Sequence, residues 1–185
     1  MPKKSYPYLP LMHEHRIIER FLKAINNEVK MMRYKKELNP AFVEMSVTFL
    51  SMFADKCHHG KEEGILFKAL QGKKLNYRHK ETMELLIGEH QFARQLTSAV
   101  SDAKRRYIKG DKKALSVIIE CIDHLVDMYP GHIYREDNEF FVPVMKYFSD
   151  DELKKMVEAE KEFDKDFQHQ KYELLVTKME KILMK

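Results

Sequence analysis

The sequence predicts an all-α protein, an up-down-up-down four-helix bundle with an additional C-terminal helix. Glycine and proline are sparse, with six of each in 185 residues, and the alternating β-branched pattern of strands is scarce. Long helical stretches joined by short connections are typical of such a bundle. The apolar fraction of 44% is enough to give a chain of this length a core.

The first two helices meet at the segment "ELNPAF". We predict the first helix from about Leu11 to Tyr34. In the segment, Asn39 is placed to cap the second helix, and Pro40 occupies the first helical position, where a proline loses no hydrogen bond. We expect this second helix to end near Leu70.

The third and fourth helices follow the loop "QGKKLN". The third is predicted from about His79 to Tyr107, with Gly110 as its stop signal and Asp111 as the cap of the next helix. The fourth should reach about Phe148, with a kink or break at the tripeptide "YPG".

A fifth helix is predicted from the capping box "SDDE", Ser149 to Glu152. This stretch is very polar, and we expect its few apolar residues to pack along the bundle. The predicted organisation is therefore one domain over residues 1–148 and a C-terminal helix over residues 149–185.

Charge and cysteine usage narrow the class of protein. The 33 basic and 29 acidic residues are interspersed and leave a net charge of +4, so nucleic acid is not an expected partner. No run of ~18 apolar residues and no N-terminal apolar signal segment occurs, so no membrane association is expected. The two cysteines, Cys57 and Cys121, lie outside any C-x-x-C motif, which favours a reduced, cytoplasmic protein. The sequence does not identify a protein partner.

The stretch "CHHGKEEGILF" places two adjacent histidines four residues before two adjacent glutamates. Residues four apart share a helix face. At about 100° per residue, the stripe of His58 carries Glu62 and otherwise small or apolar residues, whereas the stripe of His59 and Glu63 is mixed. We therefore expect His58 and Glu62 to point inward. A surface pair of charged side chains is the alternative, since exposed helices also favour this spacing.

The other helices each add a histidine. His132 and Glu136 repeat the four-residue spacing in "GHIYREDNEFFVP", and His15 and His90 lie on apolar stripes of the first and third helices. His13 should face outward. A single histidine on an apolar face is ordinarily a core residue, but four helices that each direct one inward favour a metal site.

Four imidazoles and two carboxylates form a donor set that suits iron, manganese or zinc. They are too many for one tetrahedral zinc with an open position, and they suffice for two ions bridged by two carboxylates. Glu139 is a candidate for a further carboxylate at or near the ligands, and Glu19 is expected either beside them or facing solvent.

Over about Pro10 to Phe148 the sequence resembles the hemerythrin-like family, also called the HHE cation-binding domain. The stretches "LMHEHRIIERFL", "CHHGKEEGILF", "GEHQ" and "GHIYREDNEFFVP" carry the resemblance, in that order. The resemblance implies a four-helix bundle with two non-haem iron ions, both bridged by carboxylates. The implied ligands are His15, His58, Glu62, His90, His132 and Glu136.

The sequence departs from the oxygen-carrying members of this family. Leu86 stands where they place a second histidine on the third helix, and the glutamate four residues after His132 is the pattern of the HHE branch. With an imidazole fewer, we expect binding or sensing of oxygen, peroxide, NO or iron itself, and no reversible oxygen transport. A dedicated enzyme is not indicated, although weak reduction of peroxide or oxygen is compatible with such a site.

Two other functions remain open at this point. A ferritin-like di-metal oxidase or iron store would use E-x-x-H motifs, and the sequence contains none. A metal-free helical interaction module, with the last helix as its docking element, is the other alternative. Metal analysis distinguishes it from the rest.

Overall fold

The computed structural model describes residues 5–183, and within them every regular element is helical. The predicted all-α class is confirmed for this part of the chain. Two helices of the bundle are α-helical over their whole length, namely α1, Tyr8–Lys35, and α3, Tyr77–Ile108. Residues 1–4 and 184–185, which belong to the two predicted segments, lie outside the described part.

Helix α2 spans residues 40–71 and changes its winding along the way. It is α-helical over Pro40–Thr48, π-helical over Phe49–His59 and Glu62–Phe67, and α-helical again over Lys68–Gln71. Its predicted start is confirmed, because the Asn39 side chain accepts a hydrogen bond from the backbone N–H of Phe42 at 3.2 Å. π-Helical turns are rare and concentrate at functional sites.

Helix α4 spans residues 114–147 and also changes its winding. An α-helix over Ala114–Arg135 passes into a π-helix over Glu136–Phe140, then α-helix over Phe141–Val144 and a 3₁₀ turn over Met145–Tyr147. The helix runs through Pro130 without interruption, so of the predicted kink or break, a break does not occur. A proline removes one backbone hydrogen bond, and the burial of Tyr129, His132 and Ile133 holds the helix together across it.

Two helices follow where one was predicted. Helix α5, Asp150–Asp164, begins with the predicted capping box of Ser149 and Glu152, and helix α6 is His169–Leu183. They pack on different apolar clusters. Leu153 and Met156 of α5 join one cluster, whereas Tyr172, Val176 and Met179 of α6 join the other. Because one straight helix cannot cover both clusters, the chain turns at residues 165–168.

The two apolar clusters are separated by a polar layer that crosses α1 to α4. In α1, His15 lies between Leu11 of one cluster and Ile18 of the other, and in α3 His90 lies between Leu86 and Ala93. In α2 and α4, too, the histidine and glutamate motif lies between residues of the two apolar clusters. The candidate site is therefore a layer inside a helical bundle, while the up-down-up-down order of the helices and the domain boundary at residue 148 stay predictions.

No helix within residues 5–183 combines the length and the apolar character that a membrane span requires.

Candidate metal centre

Seven buried side chains converge in the polar layer and form two groups. The His15 group consists of His15, His58, Glu62 and Glu136, and the His59 group consists of His59, His90 and His132. Each of the seven is at most 1% exposed. The six residues predicted from sequence are thus brought together, and one residue is added to them.

In the His15 group, imidazoles from α1 and α2 face carboxylates from α2 and α4. The Nε2 atom of His15 lies 3.1 Å from a carboxylate oxygen of Glu136, and that of His58 lies 3.4 Å from Glu62. These donors come from three helices. The polar layer is therefore held in place by the packing of the apolar residues above and below it.

The two glutamates also reach the His59 group. Glu62 presents its second oxygen to Nε2 of His90 at 3.4 Å, and Glu136 lies 3.2 Å from Nε2 of His132. Each carboxylate therefore lies between histidines of both groups. Four of the seven side chains, those of His58, His59, Glu62 and Glu136, stand on π-helical segments.

The outward nitrogen of four imidazoles is held by a carboxylate of another helix, at distances of 2.7–2.9 Å. In chain order, Glu14 of α1 holds His58, Glu63 of α2 holds His90, Glu89 of α3 holds His132, and Asp137 of α4 holds His15. The four bonds close a circle around the bundle, and we call these carboxylates the carboxylate ring. Each also contacts a cation, respectively Lys61, Arg94, Arg135 and Arg16.

The carboxylate ring decides the tautomer of these histidines. Because Nδ1–H donates to a carboxylate, Nε2 keeps its lone pair and faces the centre of the layer. This is the arrangement that metal-binding histidines adopt in proteins.

The inward-facing atoms have no hydrogen-bond partner among the described residues. They are the Nε2 atoms of His15, His58, His59, His90 and His132 and both carboxylate oxygens of Glu62 and of Glu136. Buried polar atoms are nearly always paired. A metal ion supplies the missing partner, and imidazole with carboxylate is a donor set for iron, manganese or zinc, so the residues fit a bound metal.

The electrostatics of the layer agree with this fit. Burial and the facing charge of Glu136 raise the pKa of Glu62 well above its ordinary range. Burial acts in the same direction on Glu136, but His132, His15 and His90 outweigh it and hold its pKa well below the ordinary range. Bound cations would stabilise both carboxylates in their ionised form.

Each group contains one histidine whose pKa is raised and one whose pKa is lowered, since the burial of His90 is outweighed by contacts with Glu136 and Glu63, which raise its pKa. Burial lowers the pKa of His58 to about 4, and burial with the neighbouring His90 lowers that of His59 well below its ordinary range. Burial also lowers the pKa of His15, but contacts with Asp137 and Glu136 outweigh it and raise the value to about 9. Neutral imidazole is the form that binds metals.

One expectation from the sequence is wrong: His59 does not turn away from the site. It is 1% exposed, and its ring stacks on that of His90 with centroids 3.8 Å apart. A π-helix turns the chain less per residue than an α-helix, so neighbouring side chains can both face inward. His58 faces α1, and His59 faces α3. The layer therefore contains five imidazoles, and His59 makes up for the imidazole that Leu86 does not supply.

Neither Glu19 nor Glu139 lies beside the converging residues, so Glu19 takes the solvent-facing alternative and the expectation for Glu139 is corrected. Glu19 pairs with Arg16 and Glu139 with Arg78, and both are more than one third exposed. The carboxylate ring takes that role instead. Each of its members is adjacent in sequence to one of the seven converging residues, which is the signal that could have identified them. The outward position expected for His13 is confirmed.

A comparison with protein families gives the same result as the geometry. The family model described as the hemerythrin HHE cation-binding domain matches residues 7–144. Searches of curated proteins and of solved structures gave no match. The matched part contains all seven converging residues and ends before α5. The chain belongs to the hemerythrin HHE cation-binding domain family.

Proposed function

We propose that this protein binds two non-haem iron ions, bridged by Glu62 and Glu136, and through them binds or senses a small ligand such as oxygen, peroxide or NO. The histidines of the His15 group would hold one ion, and those of the His59 group the other. The up-down-up-down order of α1 to α4 is part of this proposal.

The position of the two glutamates is the observation that carries it. Glu62 directs one oxygen to His58 and the other to His90, each at 3.4 Å. Glu136 reaches His15 at 3.1 Å and His132 at 3.2 Å. A carboxylate with contacts to both histidine groups is placed to bridge two ions.

The number of donors supports two ions over one. Five imidazoles and two carboxylates exceed what a single tetrahedral zinc with an open position uses. Nitrogen and oxygen donors without thiolate are typical of non-haem iron. Two adjacent iron ions supply redox chemistry toward oxygen, peroxide and NO.

The chain's own residues prepare the site for this chemistry. The carboxylate ring fixes the direction of four imidazoles and holds their Nδ1 atoms, so that in the neutral form Nε2 is the nitrogen that offers a lone pair to a metal. The apolar clusters on both sides exclude water from the layer. Excluding water strengthens the interaction between the donors and any bound cation.

A route for a small ligand is present between α2 and α3. A cavity of about 370 Å³ has His59 and Tyr129 in its wall, with Asp55 and Arg94 nearer the surface. Asp55 and Arg94 are joined by a bond of 2.6 Å. Diatomic ligands and peroxide are small enough for this cavity, which reaches the metal-binding layer at His59.

Metal analysis tests the proposal. Protein loaded anaerobically with Fe(II) should retain about two iron ions per chain after desalting, because two histidine groups share two carboxylates. Glu62→Ala should lower the iron content, whereas Glu84→Ala, on the surface of α3, should not. An iron content near zero in folded wild-type protein would support a metal-free interaction module, and a content of one would rule out the bridged pair.

A further inference from the structure

A second cluster of metal-binding side chains lies outside the polar layer. It consists of Glu14 of α1, Cys57 of α2, Asp164 at the end of α5 and His169 at the start of α6. One donor atom from each residue lies within 4.8 Å of all the others. We call these four residues the Cys57 cluster. Two of its members lie in α5 and α6, beyond the part of the chain that matches the family.

The distances in the Cys57 cluster suit a tetrahedral ion. His169 Nε2 lies 3.4 Å from Cys57 Sγ, 3.5 Å from Asp164 Oδ1 and 2.8 Å from Glu14 Oε1. Zinc bonds of about 2.0–2.3 Å place neighbouring donors of a tetrahedron roughly 3.3–3.8 Å apart. Small movements of Glu14 would complete that arrangement. Asp164 and His169 have side chains that are 28% and 31% exposed, so an ion can reach the cluster from solvent.

The charges around the cluster call for a cation. The carboxylates of Glu14, Glu160 and Asp164 interact there with one ammonium group, that of Lys61. Glu160 is 1% exposed, and neither of its oxygens has a hydrogen-bond partner among the described residues. A buried carboxyl group without a partner is costly. A divalent cation beside it would favour the ionised form of Glu160 and add positive charge next to Glu14 and Asp164.

Lys61 shows how such a cation would be accommodated. Its ammonium group contacts Glu14 and lies 2.9 Å from Asp164. Lys61 therefore neutralises two of the carboxylates that a metal ion would bind. A metal ion that took these two oxygens would displace Lys61. Glu160, with both oxygens free, then offers the ammonium group a new partner.

The geometry points to a metal site at Glu14, Cys57, Asp164 and His169 that binds one divalent ion of the zinc type. Thiolate, imidazole and carboxylate together suit zinc and similar borderline ions better than calcium or magnesium. The site is separate from the proposed iron site but joined to it, because the second oxygen of Glu14 accepts the hydrogen bond of His58 Nδ1 at 2.9 Å.

Cobalt(II) is the probe that separates the two sites. A thiolate bound to Co²⁺ gives an intense near-ultraviolet charge-transfer band, and the His15 and His59 groups contain no sulfur that could produce one. Full-length protein titrated anaerobically with Co²⁺ should show this band and bind about three ions per chain. Added zinc should bleach the band, because zinc competes for the same donors.

Two variants and one control assign the band. Cys57→Ser should abolish it and lower the metal content to about two, and His169→Ala should weaken cobalt binding at this site at least tenfold. Cys121→Ser, which alters the other buried cysteine, should leave band and stoichiometry unchanged. Absence of the band from wild-type protein, or its persistence in Cys57→Ser, would overturn the assignment. Failure of the iron proposal would leave the band in place, so the two results are distinguishable.

Discussion

The imidazole rings of His59 and His90 stack with their centroids 3.8 Å and their planes 11° apart. His59 belongs to the π-helical part of α2, and His90 to α3. The contact places a fifth imidazole in a layer for which the sequence predicted four. Neither ring nitrogen of His59 has a hydrogen-bond partner among residues 5–183, and a bound metal would give one of them a role.

His58 and His59 should therefore both be needed for metal binding. We expect His58→Ala and His59→Ala each to lower the iron content and the melting temperature of iron-loaded protein, because each removes a donor from a different histidine group. His13→Ala, an exposed position in α1, should change neither. The comparison uses iron analysis and thermal unfolding. Full iron content in His59→Ala would return the site to the six ligands predicted from the sequence.

The sequence predicted six of the seven converging residues because much of their spacing is local. Histidine and glutamate four residues apart share a helix face whatever the partner helices do. The inward position of His59 could not be predicted in this way, because an α-helix turns about 100° per residue and places adjacent side chains on different faces. The π-helical winding of α2 depends on packing against the other helices, which no spacing within α2 reveals.

The carboxylate ring should control metal affinity without contacting the metal. In Asp137→Asn, the side chain can still accept the hydrogen bond of His15 Nδ1, but it carries no charge to make the imidazole more basic. Loss of such an outer partner costs about 10–100-fold in metal affinity. Competition with a chelator measures this change, and Glu19→Gln is the control because Glu19 also pairs with Arg16 but does not contact His15. Equal affinity in the two variants would show that the ring has only a structural role.

The carboxylate ring also marks a limit of sequence analysis. Glu14, Glu63, Glu89 and Asp137 belong to charged stretches in which any acidic residue could serve, and the spacing along each helix favoured Glu139, and Glu19 as one of two readings. Each ring bond joins two different helices. Their identity therefore depends on how the helices are rotated against each other. The caps at Asn39 and Ser149 were predictable because they depend only on neighbouring residues.

Glu160 should make the metal-free protein less stable in alkaline solution. The pKa of Glu160 rises from an ordinary value of 4.5 to about 8, chiefly because the side chain is buried. The charge of Lys61 lowers this pKa, whereas the charges of Asp164 and Glu14 raise it. The folded state thus binds the proton more tightly than the unfolded state. This contribution to stability is complete below about pH 4.5 and is lost as the pH rises through about 8.

Glu160→Gln removes this dependence, because the amide resembles the protonated acid at every pH. We expect the variant to exceed wild type in free energy of unfolding by several kcal/mol at pH 9, at most about 5, and to match it at acidic pH. Denaturant unfolding with a chelator present measures the difference. Glu162→Gln, at an exposed carboxylate of the same helix, should show no such trend. A constant difference across the pH range would contradict the assignment to Glu160.

Gly60 and Gly88 should respond differently to alanine. A Cβ atom at Gly60 would lie 3.0 Å from Cζ of Phe163, whereas one at Gly88 would meet nothing within 4 Å. Alanine is favoured over glycine inside a helix by about 1 kcal/mol. Gly88→Ala should gain most of this in the free energy of unfolding, and Gly60→Ala should gain none of it because the ring that holds α5 against α2 must move. A similar gain at both positions would show that Phe163 yields without cost.

The cavity beside His59 should set the rate at which oxygen reaches the iron. Ser51 lies in its wall on α2, half-buried, and Ser51→Phe would narrow it without altering any of the seven converging residues. We expect the Fe(II)-loaded variant to contain as much iron as wild type and to react more slowly when mixed with air-saturated buffer, followed by visible absorption. Ser116→Phe, on the exposed face of α4, is the matched control. Degassing after the reaction shows whether oxygen binding reverses. The layer contains five imidazoles where four were predicted, which is the reason to test for reversible binding. An unchanged rate in Ser51→Phe would mean that oxygen enters by another route.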